Sequence, residues 1–341
     1  MIIELLVVFI LGVVIYGWYQ WARIGHDKLD ADKLEIFKKN GKYTNIALYG
    51  LDSRGKELKG GVNSDTIMIA SINNKTKEVK LVSVYRDCIM RQADGSYAKA
   101  NRAYSLGGGE LAIAELNRNL DLDIENYVSV NFIAMVKAID AVGGLEIDVT
   151  DEEVPQINKY AKEVKKASGV SSPKVTHAGK QTLNGVQATA YARIRKTEGG
   201  DFKRAERQRL VLKMLIDKTR KLSKRKLKRM AEDLLPYIAT SLSAKEVMGL
   251  AINASKFELT GTKGFPFEVT TMENPRNMVG SFVVPITMAS NVTELHAYCF
   301  GEKDYQPSQM ILDISKDIEW LTSVHPGVVN LYDQDGKQDN E

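Results

Sequence analysis

The sequence has little cysteine, little histidine and almost no net charge. Two cysteines among 341 residues exclude a disulfide-built scaffold and a zinc module based on cysteine. The 47 lysines and arginines nearly balance the 43 aspartates and glutamates, so the net charge of +4 gives no argument for nucleic-acid binding. The 44% hydrophobic and 26% charged fractions are ordinary for a globular protein. They exclude a disordered chain, a collagen-like fibre and a protein with many membrane spans.

Several common catalytic and metal-binding patterns are also missing. The sequence contains neither G-x-x-x-x-G-K-[ST] nor G-x-S-x-G, and its four histidines lack the spacing of metal ligands. Residues 107–112 match G-x-G-x-x-A, but the preceding NRAYSL is a poor strand, so this match does not predict a dinucleotide site. Cys88 and Cys299 are predicted to be unpaired, partly buried thiols.

The N-terminus carries a long uncharged hydrophobic run over residues 5–22. As a helix it would be about 27 Å long, close to the ~30 Å hydrocarbon core of a bilayer. Trp18 and Trp21 lie at its end, where interfacial aromatics occur. We predict a membrane anchor over residues 1–22, because a cleaved signal peptide, the alternative, has a shorter apolar core and a small-residue cleavage site. The basic residues after the run favour a cytoplasmic location for the part of the chain that follows it. Long domains, however, cross the membrane largely regardless of their charge, so charge leaves the orientation open.

Strand and helix signals alternate along the rest of the chain, which indicates an α/β sandwich. Strands are predicted at residues 45–51, 65–73, 78–85 and 145–149. Helices are predicted at residues 109–120, 131–141 and 184–193, with a long helix from Asp201 past Met230. The polar segment 151–176 is predicted to be a loose excursion. Residues 332–341 are predicted to be disordered.

Charged residues recur at the ends of the first three predicted strands. Asp52 follows the first strand, Asp65 opens the second, and Arg86 and Asp87 end the third. Ligands of open α/β sheets bind near strand ends, and carboxylates without histidines suit a hard cation such as Mg²⁺. The alternative is that each aspartate only caps a turn.

A second cluster is basic. Arg193 and Arg195 precede a short gap, after which come Asp201, Arg204, Arg207, Gln208 and Arg209. Asp201 is predicted to cap a helix on which Arg204 and Gln208 share a face. Arginines beside a helix N-terminus are suited to phosphate, although a solvated helix face is the alternative. Between the two clusters, the segment KANRAYSLGGG offers further donors in Lys99, Asn101 and Arg102.

A third basic run has eight lysines or arginines among the twelve residues 218–229. An exposed helix face is the simpler interpretation. Attraction to an anionic membrane or polymer is the other.

Taken in order and at matching spacings, several motifs resemble the LytR-CpsA-Psr family of envelope glycopolymer ligases. The motifs read YGLDSR, NSDT, SVYRD, KANRAYSLGG, AVGGLEIDV, LNGVQATAYARIR and GDFKRAERQ. The late stretch NVTELHAYCFGEKDYQPS also resembles the closing helix and loop of the family, and the resemblance as a whole covers about residues 44–315. The resemblance implies an α-β-α sandwich around a mixed sheet, behind one N-terminal transmembrane helix. It implies an anchor over residues 1–22, a stalk over 23–43, a catalytic domain over 44–318 and a tail over 319–341.

The resemblance also implies roles for individual residues. Asp52 and Asp65 match the acidic positions around a bound Mg²⁺ (or Mn²⁺), and with Arg86 they are the expected catalytic residues. The pyrophosphate is expected to contact Arg86, Lys99, Asn101, Arg193, Arg195, Arg204 and Gln208.

The expected activity is transfer of a glycopolymer, such as teichoic acid or capsule, from a polyprenyl-pyrophosphate carrier to a peptidoglycan hydroxyl. The enzyme would be a single-pass protein of the cell membrane with its catalytic domain outside. Nucleic acid is not an expected partner, since no basic helix-turn-helix pattern is found. Two alternatives remain: a hydrolase of polyprenyl pyrophosphate, and a non-enzymatic, membrane-tethered scaffold that binds glycopolymer.

Overall fold

The computed structural model describes residues 25–51, 58, 61–253 and 256–327. The predicted anchor, Asp52 and residues 328–341 lie outside these ranges. Among the described residues, no helix is both long and apolar enough to cross a membrane. The described residues form two compact units. The first unit comprises residues 25–27, 50–51, 58, 128–253 and 256–257, and the second comprises residues 28–49, 61–127 and 258–327.

Seven strands form a mixed sheet in the order β1-β10-β7-β2-β3-β4-β11, and three two-stranded sheets pair β5 with β6, β8 with β9 and β12 with β13. The strands are β1 (Gly25–His26), β2 (Tyr43–Leu51), β3 (Ser64–Asn73), β4 (Glu78–Val84), β5 (Ile89–Arg91), β6 (Tyr97–Lys99), β7 (Asn126–Asn131), β8 (Leu145–Val149), β9 (Gly179–Leu183), β10 (Ile238–Thr240), β11 (Glu258–Phe265), β12 (Val269–Glu273) and β13 (Ser281–Pro285). The predicted mixed α/β fold is confirmed.

Nine α-helices lie in the described ranges, with short 3₁₀ turns at Ala31–Lys33 and Leu235–Tyr237. The helices are α1 (Arg102–Leu120), α2 (Phe132–Ala141), α3 (Glu153–Ser168), α4 (Gly185–Tyr191), α5 (Gly200–Thr219), α6 (Lys224–Leu234), α7 (Ala244–Ile252), α8 (Met288–Phe300) and α9 (Gln309–Thr322).

The core of the second unit explains the glycines of the G-x-G-x-x-A match. Tyr49, Tyr104 and Tyr127 are fully buried, with ring centroids 4.9–6.3 Å apart. A Cβ on Gly109 would lie 2.3 Å from the Tyr127 ring, so only glycine fits there. Gly107 and Gly108 form a kink inside α1, where Gly108 has φ 64°. These glycines serve helix packing and do not form a turn between a strand and a helix.

Two predictions of secondary structure were wrong. Segment 151–176 is not a loose excursion, because it contains α3, whose buried Ile157, Ala161 and Val164 recur at helical spacing. The predicted helix from Asp201 past Met230 is two helices, since α5 ends at Thr219 and α6 begins at Lys224. Neither glycine nor proline marks this break in the sequence.

Candidate functional site

One group of charged side chains, the Arg86 cluster, lies in the second unit and joins Arg86 to Asp65, Asp87 and Lys99. The antiparallel register of β3 and β4 pairs Ile67 with Val84. Two positions beyond this pair, in the turn that follows β4, the side chain of Arg86 contacts that of Asp65. Arg86 Nη1 lies 2.5 Å from Asp65 Oδ1, and Arg86 Nε lies 3.4 Å from Asp87 Oδ2. The first contact is a charge-assisted hydrogen bond and the second is an ion pair, so the guanidinium lies between two carboxylates.

Lys99 reaches the Arg86 cluster through the small sheet of β5 and β6, which pairs Ile89 with Lys99. Lys99 Nζ lies 3.1 Å from Asp87 Oδ1 and 5.1 Å from the centroid of the Phe282 ring. The side chains of Asp65, Arg86 and Asp87 are 15–16% exposed, and that of Lys99 is 29% exposed. The cluster is thus mostly shielded from solvent and still open to a ligand.

Backbone contacts fix the position of this cluster. Asn101, the residue before α1, donates its backbone N–H to the carbonyl oxygen of Arg86 over 3.1 Å. On the other side, the Val283 N–H donates to the carbonyl oxygen of Asp87 over 2.9 Å. Strands β12 and β13 therefore support the segment that carries Arg86 and Asp87. The predicted residue Asn101 joins the cluster through its backbone.

A second group, the Arg204 cluster, lies in the first unit at the start of α5. Arg204 Nη2 lies 2.8 Å from Asp201 Oδ2, and Arg195 Nε lies 3.9 Å from Asp201 Oδ1. The Arg204 side chain is only 4% exposed, whereas Arg195 is 37% exposed. Gln208 is half-buried, one helical turn beyond Arg204. Asp201 thus holds two of the predicted arginines together.

The predicted role of Asp201 as helix cap was wrong. The N-cap of α5 is Gly199, which has φ 79°, and Asp201 lies inside the first turn. A Cβ on Gly199 would lie 2.4 Å from Lys203 Cγ, and the left-handed φ also favours glycine. The two glycines before Asp201 therefore begin the helix, and the Asp201 carboxylate is left to pair with arginine.

Arg193 pairs with a different carboxylate, that of Glu163. Its Nη2 is 3.2 Å from Glu163 Oε2, and its guanidinium carbon is 4.5 Å from the centroid of the Phe132 ring. Its side chain is 17% exposed. Arg193 is therefore braced by α2 and α3 within the first unit, while Arg195 and Arg204 are braced by Asp201.

The sequence places Arg207 in the basic cluster but does not predict its pairing with Glu153. Arg207 Nε lies 2.8 Å from Glu153 Oε1 on α3, and both side chains are 8% exposed. Arg207 also donates to the Thr197 hydroxyl over 2.8 Å and to the Ile194 carbonyl oxygen over 3.3 Å. Arg207 thus ties α5 to α3 and to the segment that carries Arg195. No spacing rule could have found it, because Glu153 is 54 residues away.

The two cysteines are unpaired, as predicted, and both are buried more fully than expected. Burial raises the pKa of the Cys88 thiol well above its usual range, and the negative charges of Glu115 and Asp87 add to the effect. Burial also raises the pKa of Cys299 to about 12. Both groups are therefore protonated thiols at neutral pH, which are poor nucleophiles.

We expect neither thiol to react readily with an aromatic disulfide reagent at pH 8 in the folded protein. Both should react in denaturant, at rates about a hundredfold higher or more, because unfolding exposes the sulfur and restores its ordinary pKa. The measurement is stopped-flow absorbance with and without urea. Fast labelling of one thiol in the native protein would contradict the burial described above.

The chain is thus defined as a mixed α/β protein in which two groups of arginines are held by carboxylates at a strand end and at a helix start. Comparison with known proteins then identifies it. The LytR_cpsA_psr family model matches residues 14–295, and the chain belongs to this family.

Among curated proteins, the chain is similar to two enzymes of Bacillus subtilis (strain 168), both named polyisoprenyl-teichoic acid–peptidoglycan teichoic acid transferases. TagV is 30% identical over 223 residues, which cover 64% of this chain and 54% of TagV. TagT is 31% identical over 181 residues, which cover 52% of this chain and 53% of TagT. The chain spans about half the length of these relatives.

The fold is similar to solved structures of the same proteins. Bacillus subtilis TagV has a TM-score of 0.58 and 27% identity, and the match covers 79% of this chain and all of that one. TagT with a bound octaprenyl pyrophosphate lipid has a TM-score of 0.54 and 21% identity, covering 88% of this chain and all of that one. At such identities the TagT structure supports the fold alone.

Proposed function

We propose that this protein transfers an anionic glycopolymer of the teichoic acid class from a polyprenyl-pyrophosphate carrier to a peptidoglycan hydroxyl. Residues 1–22 would anchor it in the cell membrane, with residues 44–318 on the outer side. The observation that carries the proposal is the family match over residues 14–295. The arginine clusters agree with it, since guanidinium groups bind phosphate oxygens through paired donors.

The reaction would be a displacement at phosphorus. An acceptor hydroxyl oxygen forms a new bond to the phosphorus that carries the glycan. The bond from that phosphorus to the bridging oxygen breaks, polyprenyl monophosphate leaves, and the hydroxyl proton passes to a base. Negative charge grows on the bridging and non-bridging oxygens, so cations fixed beforehand lower the barrier. Arg86 and Lys99 in one cluster, and Arg195 and Arg204 in the other, are cations of this kind.

The chemistry of Asp65 fits a divalent cation. Its carboxylate offers the hard oxygen donors that Mg²⁺ and Mn²⁺ take, and its side chain is 15% exposed. Within the described ranges, no group of three or more histidine, cysteine, aspartate or glutamate residues could hold a metal. Asp52, the second proposed ligand, lies outside those ranges. A cation held by Asp52 and Asp65 would neutralise phosphate oxygens, which is its usual part in phosphoryl transfer.

The test uses purified full-length protein in lipid nanodiscs, a glycan-labelled polyprenyl-pyrophosphate donor and a peptidoglycan acceptor. We expect the label to move to the acceptor while an equal amount of polyprenyl monophosphate is released. Chelation of divalent cations should abolish most transfer, and Mg²⁺ or Mn²⁺ should restore it. Label and lipid products are quantified by mass spectrometry.

The same assay separates the alternatives. Equal release of lipid phosphate with and without acceptor would identify a hydrolase, because water would then be the nucleophile. An Asp65→Asn variant that supports normal wall assembly in cells lacking the native protein would favour the scaffold. Either result would overturn the proposed transferase.

A further inference from the structure

Helix α6 presents a strongly basic surface in the first unit. Met230 and Leu234 of α6 are 2% and 1% exposed, so one side of the helix is packed. Exposed cations lie in the first turn of the helix, at Arg229 and in the turn before the helix. We call this surface the basic face, and its members are Lys221, Arg225, Lys226 and Arg229.

The order of charges along α6 opposes the stability of the helix. Its first turn contains Lys224, Arg225 and Lys226, and its last turn contains Glu232 and Asp233. The helix dipole favours the reverse order, with acidic residues first and basic residues last. Charged residues that lower the stability of their own helix indicate a function in binding something other than the helix.

The strand that follows α6, β10, pairs with β1, the first strand after the predicted anchor in the sequence. Strand β1 pairs with β10 in parallel, with Gly25 opposite Ala239 and His26 opposite Thr240. Parallel strands are entered from the same edge of a sheet. The chain therefore enters β1 from the predicted anchor and enters β10 from α6 at one common edge.

Chain length limits how far this edge can be from the bilayer. Three residue steps separate Ala22, the end of the predicted anchor, from Gly25, and they span at most about 10 Å. Four steps separate Leu234, the end of α6, from Ile238, and they span at most about 14 Å. The C-terminal end of α6 is thus within a limited distance of the membrane surface if residues 1–22 are anchored there. Arg229, the nearest member of the basic face, lies about 8 Å along the helix from Leu234.

We propose that the basic face of α6 binds the anionic lipid headgroups of the bilayer that carries the anchor. The proposal rests on the anchor proposed above and does not depend on transferase activity. Each lysine or arginine near an anionic surface strengthens binding by on the order of fivefold, so four together strongly favour contact of α6 with an anionic bilayer. Such docking would fix the orientation of the domain over the membrane.

The experiment follows the distance between α6 and lipid headgroups in full-length protein reconstituted in nanodiscs. A Ser223→Cys variant carries a fluorophore on an exposed residue, and the buried Cys88 and Cys299 leave this thiol as the site of labelling. Quencher is attached to the headgroup of a trace lipid. Bilayers contain phosphatidylcholine alone, or phosphatidylcholine and phosphatidylglycerol in equal amounts.

We expect quenching to be about threefold stronger, or more, in the anionic bilayer at about 0.1 M salt. It should fall to the neutral-bilayer level at about 1 M salt, where the Debye length shrinks from about 10 Å to about 3 Å. Glutamine replacement of all four members of the basic face should have the same effect as high salt. A matched control replaces four exposed lysines of the second unit by glutamine and should keep the strong quenching: Lys38, Lys75, Lys303 and Lys316.

Each other outcome would overturn the proposal. Equal quenching in both bilayers would mean that the anchor alone holds α6 there, without headgroup recognition. Absence of quenching would place α6 away from the bilayer. Failure of the protein to insert into neutral nanodiscs would contradict the predicted anchor. Loss of quenching on addition of soluble teichoic acid at constant ionic strength would assign the basic face to the polymer. The quenching result, whether it supports or overturns the proposal, does not depend on glycopolymer transfer, which is measured separately on the same nanodiscs.

Discussion

Replacement of Arg86 by alanine should reduce glycopolymer transfer by about a hundredfold or more while the protein remains folded. Arg86 is the cation that Asp65 and Asp87 hold between them, at 2.5 Å and 3.4 Å. Loss of one preorganised electrostatic donor typically costs between about a hundredfold and a thousandfold in rate. The measurement is initial rate of label transfer in nanodiscs, with circular dichroism to confirm folding.

Two companion variants show whether the loss belongs to the site. Arg86→Lys keeps the positive charge but loses the paired donors of the guanidinium, so its rate should lie between the wild type and Arg86→Ala. Arg276→Ala removes an exposed arginine of the same unit that lies 5.1 Å from the Trp320 ring, and its rate should be unchanged. Near-normal transfer by Arg86→Ala would refute the role proposed for the Arg86 cluster.

The same argument applies to the first unit. Arg204→Ala removes a side chain that is 4% exposed and bonded to Asp201, so we expect a loss of similar size. Lys213→Ala is a suitable control, because Lys213 is exposed on the same helix. If Arg204→Ala lost stability and activity together, the activity of Arg204→Lys would separate a lost cation from a damaged helix.

Strands with strong local patterns were predicted well. The nearly continuous apolar run at residues 67–72 gave a buried central strand, because few other structures bury so many consecutive side chains in so short a segment. Helix α3 was missed for the opposite reason. Its three buried apolar residues are spread through a polar sequence, and a count of polar residues hides their helical spacing.

The break between α5 and α6 shows a different limit. Residues 220–223 contain no residue that ends a helix by its own preference, so local propensity predicts continuation. Two long-range bonds hold the end of α5 instead: Lys218 Nζ donates to the Gly144 carbonyl oxygen, and Arg220 Nη2 donates to the Phe257 carbonyl oxygen. Contacts of this kind depend on the tertiary fold and cannot be seen in the local sequence.

The candidate site also contains contacts that the sequence could predict and contacts that depend on the tertiary fold. The proximity of Asp65 and Arg86 could be predicted from the sequence, since two neighbouring antiparallel strands bring the start of one beside the end of the other. The contact between Lys99 and Asp87 depends on the small sheet of β5 and β6, which was not predicted. The helix start at Gly199 also changed the role of Asp201 from cap to ion-pair partner.

The buried pair of Glu153 and Arg207 carries the largest stability effect that we expect. Glu153→Leu and Arg207→Leu should each lower the free energy of unfolding by about 3–5 kcal/mol, because each leaves an uncompensated charge in a buried position. Glu153 also accepts from the Thr150 N–H over 3.0 Å, so its loss removes a second bond. Urea unfolding followed by circular dichroism measures the change, provided that the transition remains two-state.

The double variant Glu153→Leu/Arg207→Leu should be less destabilised than the sum of the two single variants. Once both charges are gone, neither has to be desolvated without its partner, and two leucines restore part of the packing. The matched control is Lys203 with Glu206, an ion pair of equal 2.8 Å length on the same helix whose side chains are 32% and 46% exposed. Because solvent screens that pair, Glu206→Gln should change stability by no more than about 1 kcal/mol. Single variants of Glu153 and Arg207 that were as mild as Glu206→Gln would show that this contact does not join α3 to α5, and the bracing of the Arg195 segment would need another source.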